Sequence, residues 1–94
     1  MTPLTKVQAK YLAFIVFFIE TRGFPPVIRD IGSYFGVSTN AVVCINQRLM
    51  RKGYIEVSPH TARGIRLTEA YKLERADRIE QWRKRKTARA ESRS

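Results

Sequence analysis

Apolar and polar residues alternate in three successive rhythms along this chain. Residues 4–22 contain neither Gly nor Pro; Leu4, Leu12, Ile15 and Ile19 recur at helical spacing, and Thr5 is placed to cap the start. Gly23, Pro25 and Pro26 stop this first helix. Pro26 suits the first turn of a short second helix, in which Val27, Ile31 and Phe35 fall four apart before Gly36 ends it. Ser38 then sits at a cap position, and Ala41, Val42, Ile45 and Leu49 make the buried stripe of a third helix that Gly53 terminates. Two helices joined by a Gly-Val-Ser turn form a helix-turn-helix.

After Gly53 the period drops to two. Tyr54, Ile55, Glu56 and Val57 lead into a polar turn at 58–62, and Arg63, Gly64, Ile65, Arg66 and Leu67 alternate basic with apolar or Gly. This predicts a β-hairpin whose Ile55, Val57, Ile65 and Leu67 cap the three-helix core. Thr68 then caps a fourth helix over 69–86, where Leu73, Ala76, Ile79 and Trp82 recur every three residues. The expected fold is mainly α with a small β-hairpin: a winged helix-turn-helix domain over 1–67, a C-terminal helix over 68–86 that serves dimerisation, and a basic, disordered tail over 87–94.

Charge narrows the function. Eighteen Lys and Arg face eight Asp and Glu, a net +10 on a chain that is 44% apolar. It is too apolar for a disordered basic tail and too basic for an indifferent globule. Residues 1–67 alone carry nine basic and three acidic side chains, net +6, and 83–94 carry six and one, net +5. One Cys and one His exclude a disulfide framework and a multi-ligand zinc site, and no Gly-rich phosphate loop or paired-acid motif is present. The longest apolar run, from Tyr11 to Ile19, is nine residues, against about 20 for a spanning helix. A non-enzymatic, cytoplasmic, nucleoid-associated protein is expected, with no cofactor, metal, membrane partner or small-molecule substrate.

A helix that reads a duplex needs small or polar side chains near its start and amide or guanidinium forks further along. Beyond its buried stripe, the third helix offers Ser38, Thr39, Asn40, Val43, Cys44, Gln47 and Arg48. Asn40 or Gln47 suits adenine, Arg48 suits guanine or a phosphate, and Val43 suits a thymine methyl. Cys44 is expected to be an ordinary thiol near a base. Backbone contacts are expected from Arg29, Arg51, Lys52, His60, Thr61 and Arg63, with Arg63 favoured over Arg66 because the two fall on opposite faces of the hairpin.

The string Leu4-Thr5 with Gln8, Gly23-Phe24-Pro25-Pro26, Arg29-Asp30-Ile31, Gly36-Val37-Ser38, Asn40-Ala41, Lys52-Gly53-Tyr54-Ile55-Glu56 and Arg63-Gly64-Ile65-Arg66-Leu67 resembles the amino-terminal DNA-binding domain of the LexA repressor family. The resemblance covers residues 1 to about 67 and rests on these motifs occurring in order. It implies that the third helix docks in the major groove while the wing lies along the backbone or in the minor groove. Family members carry a self-cleaving serine peptidase domain after the wing; 94 residues do not hold one, so self-cleavage is not expected here. Val43 and Cys44 stand where the family presents acidic side chains, so the family's operator sequence is not carried over to this chain. Asn46 stands where the family pattern has a core Leu, so either the helix is rotated or a half-buried Asn is hydrogen-bonded.

The first helix has a second apolar stripe, Val7, Tyr11, Phe14 and Phe18, beyond what one small core needs. With Leu73, Ile79 and Trp82 it is expected to form a homodimer interface that places two reading heads on a palindromic operator. The sequence thus reads as a sequence-specific double-stranded DNA-binding transcriptional regulator, a small bacterial or phage repressor. The alternative is a protein-interaction module that grips a host transcription factor or polymerase subunit through the apolar face of the first helix.

Overall fold

The computed structural model describes residues 2–59, 61 and 63–92, with side chains through 85. Helix α1 (Lys6–Arg22) starts with a reciprocal cap: Thr5 Oγ1 accepts from the Gln8 N–H, and Gln8 Oε1 accepts from the Thr5 N–H, each at 3.2 Å. Helix α2 (Ile28–Phe35) begins later than Pro26 suggests. The Asp30 carboxylate accepts from the Val27 N–H at 3.1 Å, which makes Val27 the cap and leaves Pro26 buried in the approach to the helix. Helix α3 (Thr39–Arg51) starts where Ser38 Oγ accepts from the Ala41 N–H. The turn between α2 and α3 closes on Gly36, whose φ of +67° is a left-handed conformation open to Gly at little cost.

Strands β1 (Ile55–Val57) and β2 (Ile65–Leu67) pair antiparallel in the register Ile55 with Leu67, Glu56 with Arg66 and Val57 with Ile65. This alternation turns Ile55 and Ile65 into the core and leaves Glu56 and Arg66 on the solvent side, paired at 3.1 Å. Gly64 closes the hairpin: a Cβ there would lie 2.5 Å from the Ser58 carbonyl oxygen. The core is one cluster in which Ile15, Ile31, Val42, Leu49 and Ile55 are fully buried between the three helices and the hairpin. Four helices and a two-stranded wing make the winged helix-turn-helix that the sequence predicts.

On α3 the buried arc is centred on Val42 and Leu49. Ile45 and Asn46 flank that arc at about 60° and 40° from Val42. Ile45 is consequently only half-buried, while Asn46, on the side the hairpin covers, is 5% exposed. Asn46 is buried, but its Oδ1 has no hydrogen-bond partner among the described residues.

The second stripe of α1 is covered within the chain at three of its four residues. Tyr11 and Phe18 are buried and Phe14 half-buried, while Val7 stays exposed. Tyr11 stacks on Phe35 with ring centroids 4.2 Å apart and planes 3° from parallel, Phe14 stacks on Tyr34 at 4.4 Å, and Phe18 meets Phe24 edge-on at 5.8 Å. The surplus aromatic surface at Tyr11, Phe14 and Phe18 is used because α2 and the turn before it present aromatic residues to it, while Val7 and Phe17 stay exposed. This corrects the assignment of Tyr11, Phe14 and Phe18 to a dimer interface.

Helix α4 (Glu69–Ser92) runs beyond residue 86, the end expected from sequence, since no Gly or Pro interrupts it and Arg78–Glu74 and Lys84–Glu80 pair one turn apart. Thr68 Oγ1 donates to the Gly53 carbonyl at 2.7 Å and accepts from the Tyr71 N–H at 3.1 Å, tying the start of α4 to the end of α3. Residues three apart drift by about 60° per step around a helix. The series Leu73, Ala76, Ile79, Trp82 therefore spirals to opposite sides instead of forming a stripe, and all four are exposed. Tyr71 and Arg75 hold α4 to the domain: Tyr71 meets the Tyr54 ring at 5.3 Å, and Arg75 pairs with Glu20 of α1 at 2.7 Å.

Candidate nucleic-acid interface

The fold turns one arc of α3 outward. Ser38, Thr39, Asn40, Cys44, Gln47 and Arg48 are exposed and Val43 is half-exposed, so the expected reading residues share one open face of the helix. Val42, Leu49 and Ile15, all fully buried, anchor the opposite face. Met50, exposed at the edge of the same arc, was missed by the sequence reading; its helical offset of about 20° from Thr39 was the available signal. Cys44 is a free, exposed thiol.

The basic residues divide by whether the protein already uses them. Arg66 and Arg75 pair with Glu56 and Glu20. Arg29 in the first turn of α2, and Arg48 and Arg51 on α3, are exposed and form no ion pair among the described residues. Three cations, two on α3 and one in the first turn of α2, thus have no carboxylate partner among the described residues, which leaves them available to a polyanion.

Two expected backbone contacts are placed differently. Arg63 does not point away from the protein: its Nη1 donates to the Pro25 carbonyl at 2.8 Å, lies 3.7 Å from Asp30 Oδ2, and its guanidinium sits 4.5 Å over the Phe24 ring. It fastens the hairpin to the turn between α1 and α2. Lys52 folds back to donate from Nζ to the Pro3 carbonyl at 2.9 Å and to Gln8 Oε1 at 2.5 Å, holding the N-terminal segment against the end of α3. Hairpin parity gave no sign of either, because both partners lie far away in sequence. Thr61 is exposed on the hairpin loop, and His60 lies outside the described residues.

Among the described residues, no group of three His, Cys, Asp or Glu side chains is placed to hold a metal ion, and no helix is long and apolar enough to cross a membrane.

Helix-turn-helix, antiparallel wing and open third helix together define a winged helix-turn-helix domain. The family model described as "LexA DNA binding domain" matches residues 1–64. The chain is 36% identical over 74 residues to the LexA repressor of Leptospira interrogans serogroup Icterohaemorrhagiae serovar copenhageni, covering 79% of this chain and 36% of that protein. It is 42% identical over 74 residues to the LexA repressor of Myxococcus xanthus, covering 78% and 33%, and 46% identical over 70 residues to that of Herminiimonas arsenicoxydans, covering 73% and 32%. The chain belongs to the LexA DNA-binding domain family, and it spans about a third of the length of the curated relatives it matches.

Proposed function

We propose that this protein is a sequence-specific double-stranded DNA-binding repressor of transcription that reads the major groove with α3. The observation that carries this reading is the open arc of α3, with Asn40, Val43, Gln47 and Arg48 facing outward and with Arg29, Arg48 and Arg51 exposed and without an ion pair among the described residues. Kinship with LexA repressors supports the same assignment. The arc supplies the amide and guanidinium forks for base edges, while Arg29 and the exposed cap at Ser38 suit phosphates on the flanks. The hairpin, with Thr61 on its loop, lies along the sugar-phosphate backbone or in the minor groove.

Recognition of a palindromic operator by a two-fold homodimer is part of the proposal, since one small reading head seldom combines high affinity with high specificity. With the aromatic stripe of α1 covered by α2, the surfaces that support pairing are on α4, where Leu73 is 70% and Trp82 59% exposed. The alternative, in which α1 grips a host transcription factor or polymerase subunit, is left with the apolar surface that Val7 and Phe17 expose.

Selection of binders from random duplexes, followed by affinity measurements at several salt concentrations, tests the proposal. The expected result is a two-fold symmetric motif and an affinity that falls steeply with salt. Recovery of no enriched motif overturns base reading, and an asymmetric motif bound by one chain, with a strict monomer by light scattering, overturns the dimer.

A further inference from the structure

Half of the chain's net charge of +10 lies in its last twelve residues, where 83–94 hold six Lys and Arg against one Glu. The family match ends at residue 64, before α4 begins, so this charge lies beyond it. Basic side chains favour any helix C-terminus, but that effect is confined to the last turn. Arg83 stands about two and a half turns ahead of the helix end at Ser92.

The charge sits behind the reading face. Ile15 of α1 is fully buried in the cluster it shares with Val42 and Leu49 of α3. Ala13 and Glu20 lie about 160° and 140° around α1 from Ile15, and both are exposed. Helix α4 crosses on that outer side: Arg75 pairs with Glu20, and Arg78 lines a groove with Ala9 and Ala13. Helix α1 therefore stands between α4 and α3. At 24 residues α4 is about 36 Å long, and the molecule measures 54 × 26 × 24 Å, so the far end of α4 runs out past the domain.

We infer that the far end of α4 is a second DNA-binding surface, which holds the phosphates of a duplex segment other than the one α3 reads, so that one chain joins two segments. The class of partner follows from the residues. Arg83, Lys84 and Arg85 are exposed and, about 100° apart, point to three sides of the helix. A helix that lies on lipid needs an apolar face opposite its basic one, and after Trp82 the chain has nothing apolar larger than Ala. Cations on several sides suit the major groove of a duplex, which admits a helix between two rows of phosphates. With α1 between them, the axes of α3 and α4 are roughly 20 Å apart, two helix spacings, so a straight duplex seated on α3 does not touch both. The joining of two segments rests on the DNA-reading proposal; the binding of a duplex by α4 does not.

In the test, the full chain is saturated with its selected duplex and a duplex of unrelated sequence is then added at about 50 mM salt, both steps followed by ¹H–¹⁵N NMR. The selected duplex should shift amides between Thr39 and Arg48 and leave those of Arg83, Lys84 and Arg85 unmoved. The unrelated duplex should then shift Arg83, Lys84 and Arg85, with a Kd of roughly 1–100 µM, the range of sequence-independent contact. Shifts at these three residues from the selected duplex alone would put both surfaces on one segment and overturn the inference, as would a second duplex that moves none of them. Replacing Arg83, Lys84 and Arg85 by Gln keeps the helix propensity. On bead-bound selected duplex this variant should retain at least about tenfold less of the unrelated duplex than the unaltered chain does, with the same sequence preference. Equal retention would mean that a second reading head joins the segments, which overturns the role of α4. Phosphatidylglycerol vesicles that capture the chain where the unrelated duplex fails would assign the segment to a lipid surface and overturn DNA as its partner. A chain that selects no duplex overturns reading by α3, and shifts at Arg83, Lys84 and Arg85 with the unrelated duplex then still establish the surface on α4.

Discussion

The guanidinium of Arg63 lies 4.5 Å above the ring of Phe24, and this contact joins the wing to the turn between α1 and α2. The same side chain donates to the Pro25 carbonyl, so this residue of the hairpin loop adds a second attachment of the wing to the helices beside the buried Ile55 and Ile65. Arg63→Ala removes the cation–ring contact and the hydrogen bond from a half-exposed site. It should cost about 1–2 kcal/mol in urea denaturation and speed amide exchange in β1 and β2. Unchanged exchange there would mean that the core face of the hairpin alone fixes the wing.

Gly64→Ala tests the closeness of the two hairpin arms. A methyl group at this position meets the Ser58 carbonyl oxygen at 2.5 Å and the Ser58 nitrogen at 3.1 Å, both backbone atoms that cannot swing aside. The variant should lose about 1–3 kcal/mol and show its largest chemical-shift changes at Ser58 and Ile65. A thermal midpoint equal to that of the unaltered chain would contradict this account.

Base readers and backbone contacts should separate by their specificity. Asn40→Ala and Arg48→Ala should each reduce discrimination between the selected duplex and a single-base variant by about 1–3 kcal/mol. Arg29→Ala should weaken all duplexes alike and lower the slope of log affinity against log salt by about 1. Specificity lost in R29A and kept in N40A and R48A would reverse the assignment of the arc.

Tyr71 gives the fold an alkaline limit. Burial raises the pKa of its phenol, and the nearby Arg75 and Arg78 only partly oppose this. The unfolded chain therefore releases the proton first, so the contribution of Tyr71 is complete below the ordinary phenol pKa of about 10 and is lost as pH climbs through the folded value. Tyr71→Phe keeps the ring against Tyr54 and has no phenol to titrate. The stability difference between the unaltered chain and Y71F, measured by urea denaturation, should move in favour of Y71F between about pH 9 and 11. A difference independent of pH would show that Tyr71 titrates alike in both states.

Much of the architecture is written in local residues. Thr5, Ser38 and Thr68 cap the three helices whose starts they mark, Gly36 ends α2, and the alternation from Ile55 and from Ile65 sets which hairpin face meets the core. The open arc of α3 is legible for the same reason: once Val42 and Leu49 are buried, the helical period decides what faces outward. Each of these depends on residues within a few positions of one another, where backbone geometry leaves few choices.

Three outcomes needed the tertiary structure, since each joins segments distant along the chain. Tyr11, Phe14 and Phe18 look surplus in α1 until Phe35, Tyr34 and Phe24 cover them. Arg63 and Lys52 look available to a phosphate until Pro25, Asp30, Pro3 and Gln8 claim them. Asn46 looks like a departure in a core stripe until the hairpin folds over it and buries it, its oxygen without a partner among the described residues. Helical period tells which side of a helix a residue occupies, but which element arrives to cover that side is settled by packing the whole chain at once.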